Sequence, residues 1–188
     1  MRKGIISAIL LTSMLAGCSN YPAQQVVFDP TVQTTRQLPD IATTVIAYDL
    51  RPRDVIGFRS PNLNKEGPIT STVKFDQLLA NTARDTLTEM GISRFGGDQL
   101  KISISLNELK YHSNEKSFQN ITDLSMKLTI LAEKNGKTVK TSYESTRQHK
   151  QLTLPKEHQT SEWLNEIFST TLQSAFQDPK LLDFIQFR

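Results

Sequence analysis

One cysteine, three histidines and two clusters of charge are the side chains of this 188-residue chain with the chemistry to do more than fold. Cys18 is the only thiol, so neither an internal disulfide nor a multi-cysteine metal site is open to it. Metal binding wants histidines four apart on a helix or combined with cysteines. His112, His149 and His158 have neither spacing and read as solvated surface residues, so no metal or other cofactor is expected. No serine sits in a Gly-x-Ser-x-Gly elbow, and Gly96-Gly97-Asp98 lacks the Lys-Ser/Thr of a phosphate loop and reads as a turn. No catalytic residue is identified. Asp49, Arg51, Arg53 and Asp54 fall in one turn, where they either bind a polar ligand at a sheet edge or pair with one another to fix the turn. Lys134, Lys137, Lys140, Arg147, His149, Lys150 and Lys156 form a basic series. It suits lipid headgroups or an acidic partner, or else a solvated face that guards an edge strand.

The chemistry open to Cys18 follows from its position. Arg2 and Lys3 precede an uncharged run, Gly4 to Leu15, which is too short for a permanent span of about 20 apolar residues and has the plan of an export signal. Leu15-Ala16-Gly17-Cys18 then resembles the lipobox of bacterial lipoproteins. The resemblance implies cleavage before Cys18, a diacylglycerol thioether on its sulfur and a further long acyl chain, palmitate for example, on the new amine. Leu15, Ala16 and Gly17 make up the cleavage region. By the same resemblance, Ser19 after the cysteine implies sorting to the outer membrane, with the protein lipid-anchored and facing the periplasm. Cleavage would remove Arg2 and Lys3, so 22 basic residues become 20 against 19 acidic ones. A nucleic-acid partner, which needs a clustered basic face, is not expected.

The elements that would position any site follow from periodicity. At 37% hydrophobic and 22% charged the chain has the make-up of an ordinary folded domain. Residues 1–17 are expected as signal peptide, 18–40 as the lipidated cysteine and a flexible tether, and 41–188 as a single domain. Within the tether, Val26-Val27-Phe28 has the residues of a short edge strand. Val45-Ile46-Ala47-Tyr48 reads as a covered strand and Val55-Ile56-Gly57-Phe58 as a second short one. Phe75, Leu78, Leu79, Ala83, Leu87 and Met90 mark one face of a helix, capped by Ser71 or Thr72 and ended by a left-handed Gly91.

Leu100, Ile102, Ile104 and Leu106 alternate with polar residues, and the phase flips near Asn107-Glu108, predicting a bulge. A second alternating strand takes in Phe118 and Leu124 to Ala132. Asn135-Gly136 turns it into a return strand through Val139 and Tyr143. Thr160 or Ser161 would cap a helix with Trp163 or Leu164, Ile167, Phe168, Leu172, Ala175 and Phe176 inward. Asp178-Pro179 starts a short last one. The sum is an α+β two-layer sandwich: a mostly antiparallel mixed sheet, two main helices on one face and a short C-terminal helix.

With these features together, the chain resembles the YajG-family lipoproteins of Gram-negative bacteria. The likeness rests on the lipobox at Cys18, Asp49-Leu50-Arg51, Asn135-Gly136 followed by Tyr143, and Gln177-Asp178 through Phe184-Ile185. It implies an envelope lipoprotein and carries over no catalytic or ligand-binding residue. The expected function is a non-enzymatic binding or assembly module for another envelope component. The alternative is a carrier of a lipid or other apolar ligand, and an envelope hydrolase ranks last.

Overall fold

The computed structural model describes residues 22–59, 67–116 and 118–187. In chain order the elements are β1 (Gln24–Val26), β2 (Thr43–Asp49), β3 (Gly57–Phe58), β4 (Pro68–Ser71), α1 (Phe75–Glu89), β5 (Leu100–Lys116), β6 (Gln119–Lys134), β7 (Lys137–Gln151), α2 (Glu157–Phe176) and α3 (Pro179–Gln186). They form one open seven-stranded mixed sheet with the helices on one side, an α+β sandwich. β5, β6 and β7 are a long antiparallel meander, while β2 and β3 both run parallel to β5, one beside each half of it.

The meander follows its side-chain alternation. Leu100, Ile102, Ile104 and Leu106 of β5 and Leu124, Met126, Leu128, Ile130 and Ala132 of β6 are buried under the helices. The register shifts between Leu106 and Glu108, at the predicted bulge. Asn135 and Gly136 have φ of 51° and 73°, the left-handed pair that a two-residue hairpin needs. At the other hairpin, Phe118 does not join the buried face: it is 91% exposed with φ 67°.

Helix ends are set by backbone chemistry more than by hydroxyl caps. Gly91, at φ 101°, donates to Thr88 O (3.0 Å) and Ile92 donates to Leu87 O (2.9 Å), a Schellman ending of α1. Its start is not capped by Ser71 or Thr72. Ser71 Oγ instead turns onto Val73, and Asp76 accepts a first-turn N–H, from Gln77 at 2.8 Å. α2 begins earlier than Thr160 or Ser161 would place it, at Glu157, after the N-cap Lys156, whose N–H donates to Gln159 Oε1 (2.9 Å). Asp178 does cap α3, accepting from Lys180 N–H at 2.9 Å, with Pro179 next.

The segment expected to be a tether is docked from Gln24 to Leu38. β1 pairs with β4, and Phe28 lies 5.0 Å from the Phe75 ring and 5.3 Å from the Phe168 ring. Beyond it the chain runs along α2. Asp29 N–H donates to Asn165 Oδ1 (2.8 Å), Thr31 N–H to Ser169 Oγ (3.1 Å) and Gln33 N–H to Gln173 Oε1 (2.6 Å). Two residues of extended chain rise about 6.6 Å and four residues of helix about 6 Å, so partners spaced by two and by four stay in step. Arg36 then reaches Asp183 (2.7 Å), and Leu38 N–H donates to Met90 O (2.7 Å). No described helix is long and apolar enough to cross a membrane.

Candidate functional site

β2 ends where Leu50 N–H donates to Leu106 O at 2.9 Å. The Asp49 carboxylate accepts the Arg51 N–H (3.2 Å) and holds the Arg51 guanidinium through Nε (2.9 Å) and Nη2 (2.7 Å). This turn carries the chain away from β5, and Pro52 has no N–H with which to rejoin the ladder. The chain returns at Ile56, whose carbonyl accepts Tyr111 N–H at 2.9 Å. Gly57 permits the return, since a Cβ there would stand 2.0 Å from Tyr111 O. Between Leu106 and Tyr111 the bulged β5 therefore has no described strand on the side away from β6. The gap is a half-open cleft of about 600 Å³.

Ile56 and Leu109 are buried lining residues, Val55 and Phe58 are half-buried, and Arg53 and Lys110 supply exposed cations. Lys110 pairs with Glu108, whose other oxygen accepts from Ser125 Oγ at 2.6 Å. The Lys110 hydrogen bond, then Ser125, hold the Glu108 carboxyl below the ordinary carboxylate range. The Arg51 side chain is 5% exposed and lies 4.3 Å over the Phe75 ring. Asp49 and Arg51 thus pair with each other and fix the turn, while Arg53 has no ion pair among the described residues. The lining holds no histidine, serine, threonine or cysteine. What the cleft can do is hold an apolar group beside an anionic one.

Adjacent to the cleft, β2 leaves its outer edge open. Leu100 N–H donates to Ala42 O (3.1 Å), and the ladder ends with Leu50 on Leu106. Counted in twos, the even-numbered residues between them face β5, and Val45, Ala47 and Asp49 turn N–H and C=O outward. Thr43 is covered by Arg94 and Gly96, and Val45 O accepts from Arg84 Nη2 at 3.1 Å; no described strand pairs with the rest. On the sheet face away from the helices, Ile46, Tyr48 and Leu50 are 43%, 46% and 57% exposed.

The other residues singled out from sequence scatter. Leu15, Ala16, Gly17, Cys18 and Ser19 lie outside the described residues. The basic series is not one patch: Lys134 and Lys137 pair with each other in register at one end of the meander, and Lys150 opposes Ile121 near the other. His112 and His158 are exposed, but His149 stacks on Trp163 with ring centroids 3.9 Å apart, a packed position that spacing alone did not reveal. No group of three or more potential ligands that could hold a metal ion occurs among the described residues. The cleft and the open edge had weak sequence signals: the Arg51-Pro52 interruption, the phase flip at Asn107, and apolar residues on both faces of β2.

A family model described as uncharacterized lipoprotein matches residues 30–186. No curated protein matches the chain. Among solved structures, a protein from Xanthomonas campestris is 13% identical, with 80% of this chain and 95% of that one covered and a TM-score of 0.49. A minor lipoprotein from Acinetobacter baumannii is 14% identical over 70% of this chain and 88% of its own, with a TM-score of 0.40.

Proposed function

The chain belongs to this family of uncharacterized lipoproteins, and from that membership we propose an outer-membrane lipoprotein, anchored through Cys18 and facing the periplasm, that docks another envelope protein without catalysing a reaction. Leu15-Ala16-Gly17-Cys18 supports the anchor and Ser19 the membrane. Two or three acyl chains at about 0.8 kcal/mol per buried CH₂ make release negligible. Replacing Cys18 with Ala is expected to move the protein from the membrane to the soluble fraction; an unchanged distribution would contradict the anchor.

The docking reading is carried by the contrast between the outer edges of β7 and β2. β7 carries Lys137, Lys140, Arg147 and Lys150, the usual guard against edge-to-edge pairing. β2 carries a single charge, Asp49, and exposes Ile46, Tyr48 and Leu50 beside outward backbone groups. An extended segment added there would gain ladder hydrogen bonds and apolar contact together. A photo-crosslinking side chain at Tyr48, in cells, is expected to capture an envelope protein that the same group at Glu144 of β7 does not. Equal or absent adducts at both sites would refute the reading.

The cleft favours a second reading, carriage of an amphiphile. The organic extract of the purified protein would then contain a lipid that is lost when Leu109 is replaced by Arg.

A further inference from the structure

Gln24, Ile69, Gly57 and Tyr111 lie at one level across the sheet. β1 is parallel to β4, β4 antiparallel to β3, and β3 parallel to β5, so β1 runs opposite to β5. Tracing the chain back from Gln24 towards its N-terminus therefore heads the same way that β5 runs beyond Tyr111, towards the β5–β6 hairpin. Gln24 is held at that level: it is buried, and its Nε2 donates to Glu157 O at 2.8 Å.

Two lengths then compete. From Tyr111 to Lys116, where β5 ends and the turn carrying Phe118 follows, five residues of strand rise about 17 Å. From Cys18 to Gln24, six residues reach at most about 22 Å in any conformation. A lipid-bearing Cys18 thus stands at most about 5 Å beyond the end of β5 along this axis, which keeps the hairpin tip at the leaflet surface. The tip has the chemistry of an interface. Phe118 and Leu152 are the most exposed large apolar side chains described, at 91% and 77%. They share this end of the meander, since Gln151 opposes Asn120 and Lys116 opposes Gln119. Exposed Lys150 follows just behind.

We propose that this end of the sheet is a membrane-contacting surface. Phe118 and Leu152 enter the interfacial layer of the leaflet that holds the acyl chains, and Lys150 faces anionic headgroups. The β6–β7 turn at Asn135 points to the aqueous side. The inference rests on the Cys18 anchor proposed above.

Because acylation consumes the Cys18 thiol, an introduced cysteine is the one free thiol of the mature chain. Full-length protein carrying Phe118→Cys, Leu152→Cys or Asn135→Cys is processed in a lipidating host, nitroxide-labelled and placed in phosphatidylethanolamine–phosphatidylglycerol vesicles. Accessibility to a water-soluble nickel relaxant at 118 and 152 is expected to fall several-fold below that at 135. A chain that floats with the vesicles while 118 and 152 stay as accessible as 135 overturns the inference and leaves the anchor standing. A chain that does not float overturns both.

Discussion

The Tyr143 hydroxyl donates to the Asp178 carboxylate at 2.7 Å, tying the middle of β7 to the residue that caps α3. Tyr143→Phe should cost about 1.5–3 kcal/mol, the range for a hydrogen bond to a charged acceptor. Asp178→Ala should cost more, because the Lys180 N–H loses its cap as well. In a double-mutant cycle, Tyr143→Phe should become nearly neutral once Asp178 is gone. Denaturant unfolding of the four proteins measures this.

The same pair predicts alkaline behaviour. Burial, and then Asp178, raise the Tyr143 phenol above its ordinary value. A raised folded-state value gives stability that is complete below the unfolded value of about 10 and is lost as pH rises through the folded one. Wild type should weaken above about pH 10, and Tyr143→Phe should weaken less steeply; urea midpoints against pH report the slope.

The acid limb has the opposite sign. Glu108 is depressed, first by Lys110, so its contribution is present above the unfolded value of about 4.3 and is lost as pH falls through the folded one. The pair is partly exposed, so Lys110→Met should lower stability at neutral pH by no more than about 1 kcal/mol. The difference should vanish at low pH in the same urea titration.

Phe28 should behave as a core residue although it precedes residue 41. Phe28→Ala should cost about 3–5 kcal/mol, whereas Val27→Ala, on a side chain 65% exposed, should stay within about 0.5 kcal/mol. Thermal unfolding distinguishes a docked strap from a tether, for which both changes would be silent.

Gly57→Ala should open the wall of the cleft. The added methyl meets Tyr111 backbone, which cannot rotate away, so a loss of about 1–3 kcal/mol or more is expected. Hydrogen exchange should rise first at Gly57–Phe58 and Tyr111.

What the sequence determined by itself was everything encoded within a few residues. Alternation along Leu100–Leu106 and Leu124–Ala132, the left-handed Asn135-Gly136 and Gly91, and Asp178-Pro179 each depend on local sterics and neighbouring hydrogen bonds. They therefore read directly as strand, hairpin and helix end, and their faces imply a two-layer body. Tertiary structure decided the rest. The strap is polar and proline-spaced, so its pattern looked like solvent-exposed chain; its partners Asn165, Ser169 and Gln173 lie 136 to 140 residues away. The cleft exists because the excursion after Asp49 happens to pass the bulge of a strand more than 50 residues later. The basic residues look like one group along the chain, but β7 spreads 15 residues along nearly the whole sheet and sends Lys137 and Lys150 to opposite ends. Local rules carry no information about which distant segment satisfies a backbone group, and that choice placed the candidate surfaces.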